Sequence, residues 1–364
     1  MSWYVIDAVE RAIERTRTCL FEPIDIWKWL KLTIIVLFIG GGGGFNSGGN
    51  GGSYNNYGGS GSDFSRIPQG LIDVVSNFYE HLMSYSEATL IIFAIVLIFL
   101  FLLLLSLIGS VMEFVFVESL VRNDVRIREY FSRYLMKGVA LFILRIIIGL
   151  GTLLAFVILA LPLLFMTGIV DGGIDRLGGA SIMLLIMGLI AILFIIAIVA
   201  GIIGSFINFA IPVSLYSQSS IYSALSRVLG QFRHDWQQIV VYWVGRLILA
   251  IAAGILVAIV GLIAIIILGI LLLIVDVILY FGFSAILADT AVWILFIPIL
   301  IVEFIVFIFV MTFVGMPVRV FMKYHMLTFL QKWYPLDIPM FDAYHHIGES
   351  NMDEWLNEAT APDE

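Results

Sequence analysis

One cysteine, Cys19, stands in 364 residues, so no intramolecular disulfide can form and no thiolate-rich metal site exists. Charge is scarce as well. Lys, Arg, Asp and Glu make up 13% of the chain, against about 25% in an ordinary soluble domain. That excludes a disordered protein and a soluble globular enzyme. Basic residues are outnumbered 19 to 27 and the formal net charge is −8, so the footprint of a nucleic-acid binder is missing. The five histidines form no HExxH and no Cys-His set. The Gly-x-Ser-Gly of rhomboid-type proteases and the Gly-x-Gly-Asp of intramembrane aspartyl proteases are absent. No catalytic residue, cofactor site or metal site is assigned, and the chain reads as a non-enzyme.

What is abundant is hydrocarbon: 61% of the residues are hydrophobic, well above the roughly 45–50% of soluble domains. A helix crosses the bilayer core with about 20 apolar residues. The expected fold is an all-α membrane protein of about six transmembrane helices, near 26–44, 88–116, 138–168, 180–212, 238–275 and 291–316. The first is the weakest, because its uninterrupted apolar stretch is only Leu32 to Ile39 and even that includes Thr33; a re-entrant segment is its alternative. The fifth is too long for one perpendicular crossing and must tilt, protrude or break at Gly254, Gly261 or Gly269. Charged residues ahead of the first run (Glu10, Arg11, Glu14, Arg15, Arg17) argue against a cleavable signal peptide.

Lys and Arg placement orients the chain. Fifteen of the 19 fall on the side of both termini, the opposite loops hold only Arg66 and Arg176, and Arg145 and Arg246 lie inside spans. The expectation is a multi-pass protein of the cell membrane with both termini cytoplasmic. A flexible Gly-rich loop, 40–66, then faces out. It has no Lys-Ser/Thr after its glycines, so it is no phosphate loop. Residues 337–364 carry eight carboxylates and no Lys or Arg, an acidic cytoplasmic tail.

Three regions resemble one another. MEFVFVES (112–119), INFAIPVS (207–214) and MTFVGMPV (311–318) each place a polar residue before Phe, and each precedes a basic amphipathic stretch. FSRYLMKGVALFILRIII (131–148) aligns without gaps on FRHDWQQIVVYWVGRLIL (232–249), setting Arg145 on Arg246. Three helical-hairpin repeats, about 21–118, 131–214 and 232–318, follow. They are joined by cytoplasmic interfacial amphipathic helices, with others at 1–25 and 317–336. One face of the third connector carries Ile221, Leu225, Val228, Leu229 and Phe232, and such helices lie in the interface with Arg and Lys toward headgroups. The expected partner is therefore the bilayer itself, through anionic headgroups at the cytoplasmic face. A protein partner or a second copy is the alternative, and nucleic acid is excluded. Leu71, Val74, Val75, Phe78, Leu82 and Tyr85 suggest one more surface helix on the outer side.

The amphipathic start, TRTCLFEPIDIWKWLKLTIIVLFIGGGGG and the Gly/Asn/Ser-rich loop together resemble a family of uncharacterised archaeal multi-pass membrane proteins of haloarchaea and methanogens. A more distant similarity is to the membrane domain attached to some glycerophosphoryl diester phosphodiesterases. Neither resemblance implies a catalytic residue here.

Charges inside spans are costly and stand as functional candidates. They are Glu113, Arg145, Arg246 and Glu303, with Asn208 as a neutral polar neighbour. Glu113 and Arg145 can pair at similar depth, and Arg246 can reach toward Glu303 or Asn208. The plain reading is a buried fastening between hairpins; the sharper one is a polar path for an ion, proton or lipid headgroup. Asp276 and Asp289 are placed at the last outer loop, and DGGIDR (171–176) in the one before. His345, His346, Asp342 and Glu349 could hold a metal only weakly. His234–Asp235 reads as a cap before the fifth span. The small residues Gly201, Gly204, Ala250, Gly254, Ala258 and Gly261 are expected at close helix contacts.

Overall fold

The computed structural model describes residues 4–43, 87–167, 178–285 and 289–341. Residues 44–66 of the Gly-rich loop, the proposed outer surface helix, DGGIDR, the His345–His346 group and residues 342–364 of the acidic tail lie outside the described residues. The first four glycines of the expected loop, 40–43, instead continue α2, and the tail does not start as a solvated segment, because Ile338 and Met340 are buried in the core. Among those described there are eight helices and no strands: α1 (Tyr4–Leu20), α2 (Ile26–Gly43), α3 (Glu87–Arg122), α4 (Ile127–Thr167), α5 (Gly179–Tyr216), α6 (Ile221–His234), α7 (Trp236–Ser284) and α8 (Asp289–Trp333).

Local chemistry sets several of these ends. Asp25 caps α2, its carboxylate accepting from the backbone N–H of Trp27 at 2.9 Å and of Lys28 at 3.3 Å. Asn123 closes α3 in the left-handed region, φ 57°, which Asn tolerates better than a branched residue. Ser220 caps α6 by accepting from the N–H of Ser223. Asp235 does hold the cap position of α7, but its side chain makes no cap hydrogen bond.

Five helices, α3, α4, α5, α7 and α8, are long and apolar enough to cross a membrane, and the chain is a multi-pass membrane protein. The sixth expected span, α2, has 18 residues and ends in four glycines; it packs along α3 and α8. The fifth span does not break: α7 runs 49 residues without interruption, about 74 Å at 1.5 Å per residue. α8 is likewise continuous through Pro298 and Pro317, so residues 317–333 extend the span rather than forming a separate surface helix.

The core sits at one end of the bundle. Residues 111–121 of α3 are buried almost without exception, and so are 206–215 of α5 and most of 324–330 of α8. Away from this packed end the apolar runs, such as Ile91–Leu102 and Ile259–Val275, face outward. Lipid tails are as apolar as Leu, so burying those faces against protein gains little. Where water competes, the same side chains close into a core. The amphipathic helices serve that core. Ala8, Ala12, Cys19 and Leu20 of α1 and Ile221, Ala224 and Val228 of α6 are buried against protein, not laid on a lipid surface. Ile6 and Ile13 are the large hydrophobic side chains of α1 that remain strongly exposed among the described residues. α1 is fastened to the end of α8 by Arg15 donating to Thr328 Oγ1 at 2.9 Å and by the Lys332–Asp7 ion pair at 2.7 Å.

Small residues make fewer close contacts than expected. Gly201, Gly204 and Gly254 face open space, and Gly261 meets the end of Met311. The tight approach is at Gly138 of α4, set directly on Val111 of α3.

Candidate functional site

The α3–α4 seam positions the central charges. Gly138 and Arg145 are seven residues apart and share one face of α4. That face meets α3, where Ser110 and Glu113 lie one turn apart. Arg145 donates to Glu113 Oε1 in a salt bridge and to Ser110 Oγ at 3.2 Å. The expected pair therefore forms. Its second carboxylate oxygen, Glu113 Oε2, is buried without a hydrogen bond among the described residues.

Two more cations reach this pair. Lys323 of α8 lies within electrostatic range of Glu113, Arg145 and Arg246. Arg246 of α7 donates to the Tyr242 hydroxyl at 2.6 Å and sits 5.9 Å from that ring's centroid. Tyr242, fully buried, stacks on Phe329 at 4.4 Å and on His325 at 5.5 Å, which locks α7 to α8. Four helices thus bring three cations and one carboxylate together. Lys323 falls within 317–336, expected from the sequence to be a separate interfacial helix beyond the last span.

Glu303 finds neither Arg246 nor Asn208. Its carboxyl meets Asp276 of α7. Asp276 does not flank a loop, because α7 continues to Ser284. Two carboxyls in contact share a hydrogen bond only when one carries a proton. Asp276 Oδ1 is buried without any partner among the described residues. Replacing both with Leu is expected to stabilise the detergent-solubilised protein by about 1 kcal/mol or more, since two polar groups leave hydrocarbon together. Either single replacement orphans the other carboxyl and should give no gain. Thermal unfolding of the three variants decides it; a destabilised double variant would show the pair to be worth keeping. Asn208 is half-buried on α5 and makes no side-chain hydrogen bond among the described residues.

A second buried acid was missed. Glu118, 1% exposed, binds the Arg122 guanidinium and accepts from Tyr216 OH at 3.0 Å. Its signal was Arg122 four residues on, a helical ion-pair spacing. Lys137 nearby donates to the Ser214 carbonyl at 2.6 Å, satisfying the end of α5. Lys28 joins three helices by donating to the Cys19 carbonyl and to Asn123 Oδ1, both at 2.6 Å.

A shallow cleft of about 830 Å³ opens beside α2 and the α3–α4 turn, lined by Lys31, Arg126, Arg128, Glu129, Ser132 and Arg133. Arg126 donates hydrogen bonds to the Asp124 and Glu129 carboxylates, which hold its guanidinium pKa above the ordinary value. Arg133 pairs with Glu129 at 2.9 Å, while Lys31 and Arg128 have no ion pair among the described residues. Away from the cleft, the Lys332 ammonium holds the Asp7 carboxyl below the usual carboxylate range. No three His, Cys, Asp or Glu side chains converge among the described residues.

Long apolar helices bound together at one charged, aromatic end define an integral multi-pass membrane protein. A family described as being of unknown function, DUF7544, matches residues 3–337, and the chain belongs to it. No curated protein and no solved structure matches it.

Proposed function

We propose a non-enzymatic component that organises the membrane by binding anionic headgroups, and a protein partner, at its cytoplasmic face. In this reading α2 is a sixth crossing. The hairpins α2–α3, α4–α5 and α7–α8 are then three copies of one unit, and the packed end lies inside the cell. The likeness to an archaeal membrane family and to the membrane domain of glycerophosphoryl diester phosphodiesterases fits that layout. The observation that carries the proposal is the basic cleft, in which Lys31 and Arg128 have no ion pair among the described residues. Juxtamembrane Lys and Arg each attract anionic lipid by about 1 kcal/mol.

The test is lipid retention. In nanodiscs of mixed phosphatidylglycerol and phosphatidylcholine, Arg126→Gln/Arg128→Gln/Arg133→Gln should retain fewer anionic lipids, counted by native mass spectrometry. Equal retention in variant and wild type would refute the cleft. Orientation is checked separately with a membrane-impermeant thiol label on Ser53→Cys and Asp363→Cys. Cys19 is buried and gives little background. Only the first should react in intact cells.

A second reading, a carrier or channel for a small solute or lipid, is favoured by one observation: charges from α3, α4, α7 and α8 converge within the bundle. Flux in liposomes that is lost on Glu303→Ala would support it.

A further inference from the structure

We propose that the inner cluster of Arg145, Arg246 and Lys323 binds the phosphate of one anionic phospholipid, whose acyl chains lie in the groove between α1, α7 and α8. The inference takes its ligand class from the headgroup-binding reading, but it concerns a different place in the molecule.

The charges do not balance without a guest. Among the described residues Glu113 is the one carboxylate in the cluster, and Arg145 holds it. Among the described residues, Arg246 has a neutral phenol as its hydrogen-bond partner and no ion pair. The Lys323 ammonium makes no hydrogen bond among the described residues and lies near both arginines as well as Glu113. Two cations therefore stand uncompensated inside the packed end. Cations withdrawn from water are retained where a counter-charge meets them. A phosphodiester brings that charge, with acceptor oxygens suited to Arg and Lys donors. Choline or ethanolamine would return a cation to the cluster, so a net-negative headgroup is preferred.

The lipid source is indicated by the groove. It measures about 510 Å³ and is lined largely by apolar atoms of Leu249, Ala253, Leu256, Val318 and Phe321. Arg246, Leu249, Ala253 and Leu256 recur at helical spacing, so the guanidinium and the groove share one face of α7. The groove begins one turn from the charge, where chains attached to a bound headgroup would run. A free phosphate would have no use for it.

Full-length protein, delipidated in detergent, is titrated with dioctanoyl-phosphatidylglycerol, dioctanoyl-phosphatidylcholine and inorganic phosphate. Thermal unfolding and native mass spectrometry are the readouts. One phosphatidylglycerol should bind and raise the unfolding temperature, at least about tenfold more tightly than phosphatidylcholine, while inorganic phosphate gives no comparable shift. Lys323→Met and Arg246→Gln should each weaken that binding by at least about tenfold. Lys323→Met alone should unfold no earlier than wild type, because the ammonium it removes has no hydrogen-bond partner among the described residues. A shift that survives both substitutions, or an equal shift with inorganic phosphate, overturns the proposal. The cleft variant Arg126→Gln/Arg128→Gln/Arg133→Gln should keep this tight site. Loss of surface lipids there with the tight site intact, or the reverse, separates failure of one site from failure of the other.

Discussion

Replacing Glu113 with Ala is expected to destabilise the protein by about 3–5 kcal/mol, the usual cost of breaking a buried ion pair from one side. The residue is 8% exposed and, among the described residues, supplies the one negative charge beside Arg145, Arg246 and Lys323. Its loss leaves three cations facing one another in a poorly solvated site. Arg145→Leu should cost less, because Lys323 remains as a counter-charge for the stranded carboxylate. Glu113→Leu with Arg145→Leu should recover much of the loss, since both partners leave and apolar packing replaces them. The single cysteine makes the measurement simple. Cys19 is buried, so a thiol-reactive fluorophore added during heating reports unfolding from one defined position. A Glu113→Ala variant that melts within about 1 kcal/mol of wild type would mean that this carboxylate does not hold the cluster.

The Glu113–Arg145 contact was legible because both charges interrupt apolar runs at matching depth on consecutive helices. Its neighbours were not, and for physical reasons. The hydrocarbon thickness suggested that the fifth span ends at residue 275, which put Asp276 at a loop. The helix runs nine residues further and hands Asp276 to Glu303 instead. Ending the sixth span near residue 316 put Lys323 on a separate interfacial helix. Yet α8 does not stop at Pro317, and its extension brings Lys323 back under the bundle. The amphipathic pattern of α1 and α6 was read correctly as helical, but periodicity says only that one face is apolar. Whether lipid or protein covers that face depends on which elements pack there, the extension of α8 over α1 and the end of α5 over α6, which pattern alone does not reveal. Small residues failed similarly: Gly254 and Gly201 satisfy the motif, yet a Cβ at either would meet nothing within 4 Å among the described residues.

Gly138 is where a methyl group should do most harm. A Cβ there would stand 2.3 Å from Val111 Cγ2 and 2.7 Å from Val111 Cα. A side-chain tip could rotate away, but backbone cannot, so α3 and α4 must part. Gly138→Ala is expected to cost about 1–3 kcal/mol through overpacking, against the roughly 1 kcal/mol that Ala normally gains over Gly within a helix. Gly138→Leu should not give folded protein. Adding Val111→Ala to Gly138→Ala removes the Cγ2 contact but leaves the one to Cα, so rescue should be partial. Gly254→Ala, in open space, is the control and should be neutral or stabilising. The consequence extends beyond stability. Arg145 shares the face of Gly138, so separating the helices lengthens its reach to Glu113 and Ser110. Gly138→Ala should therefore also weaken whatever anion the cluster holds, while Gly254→Ala leaves it unchanged. If both alanine variants melt alike, the close approach of α3 and α4 is not what seats the ion pair.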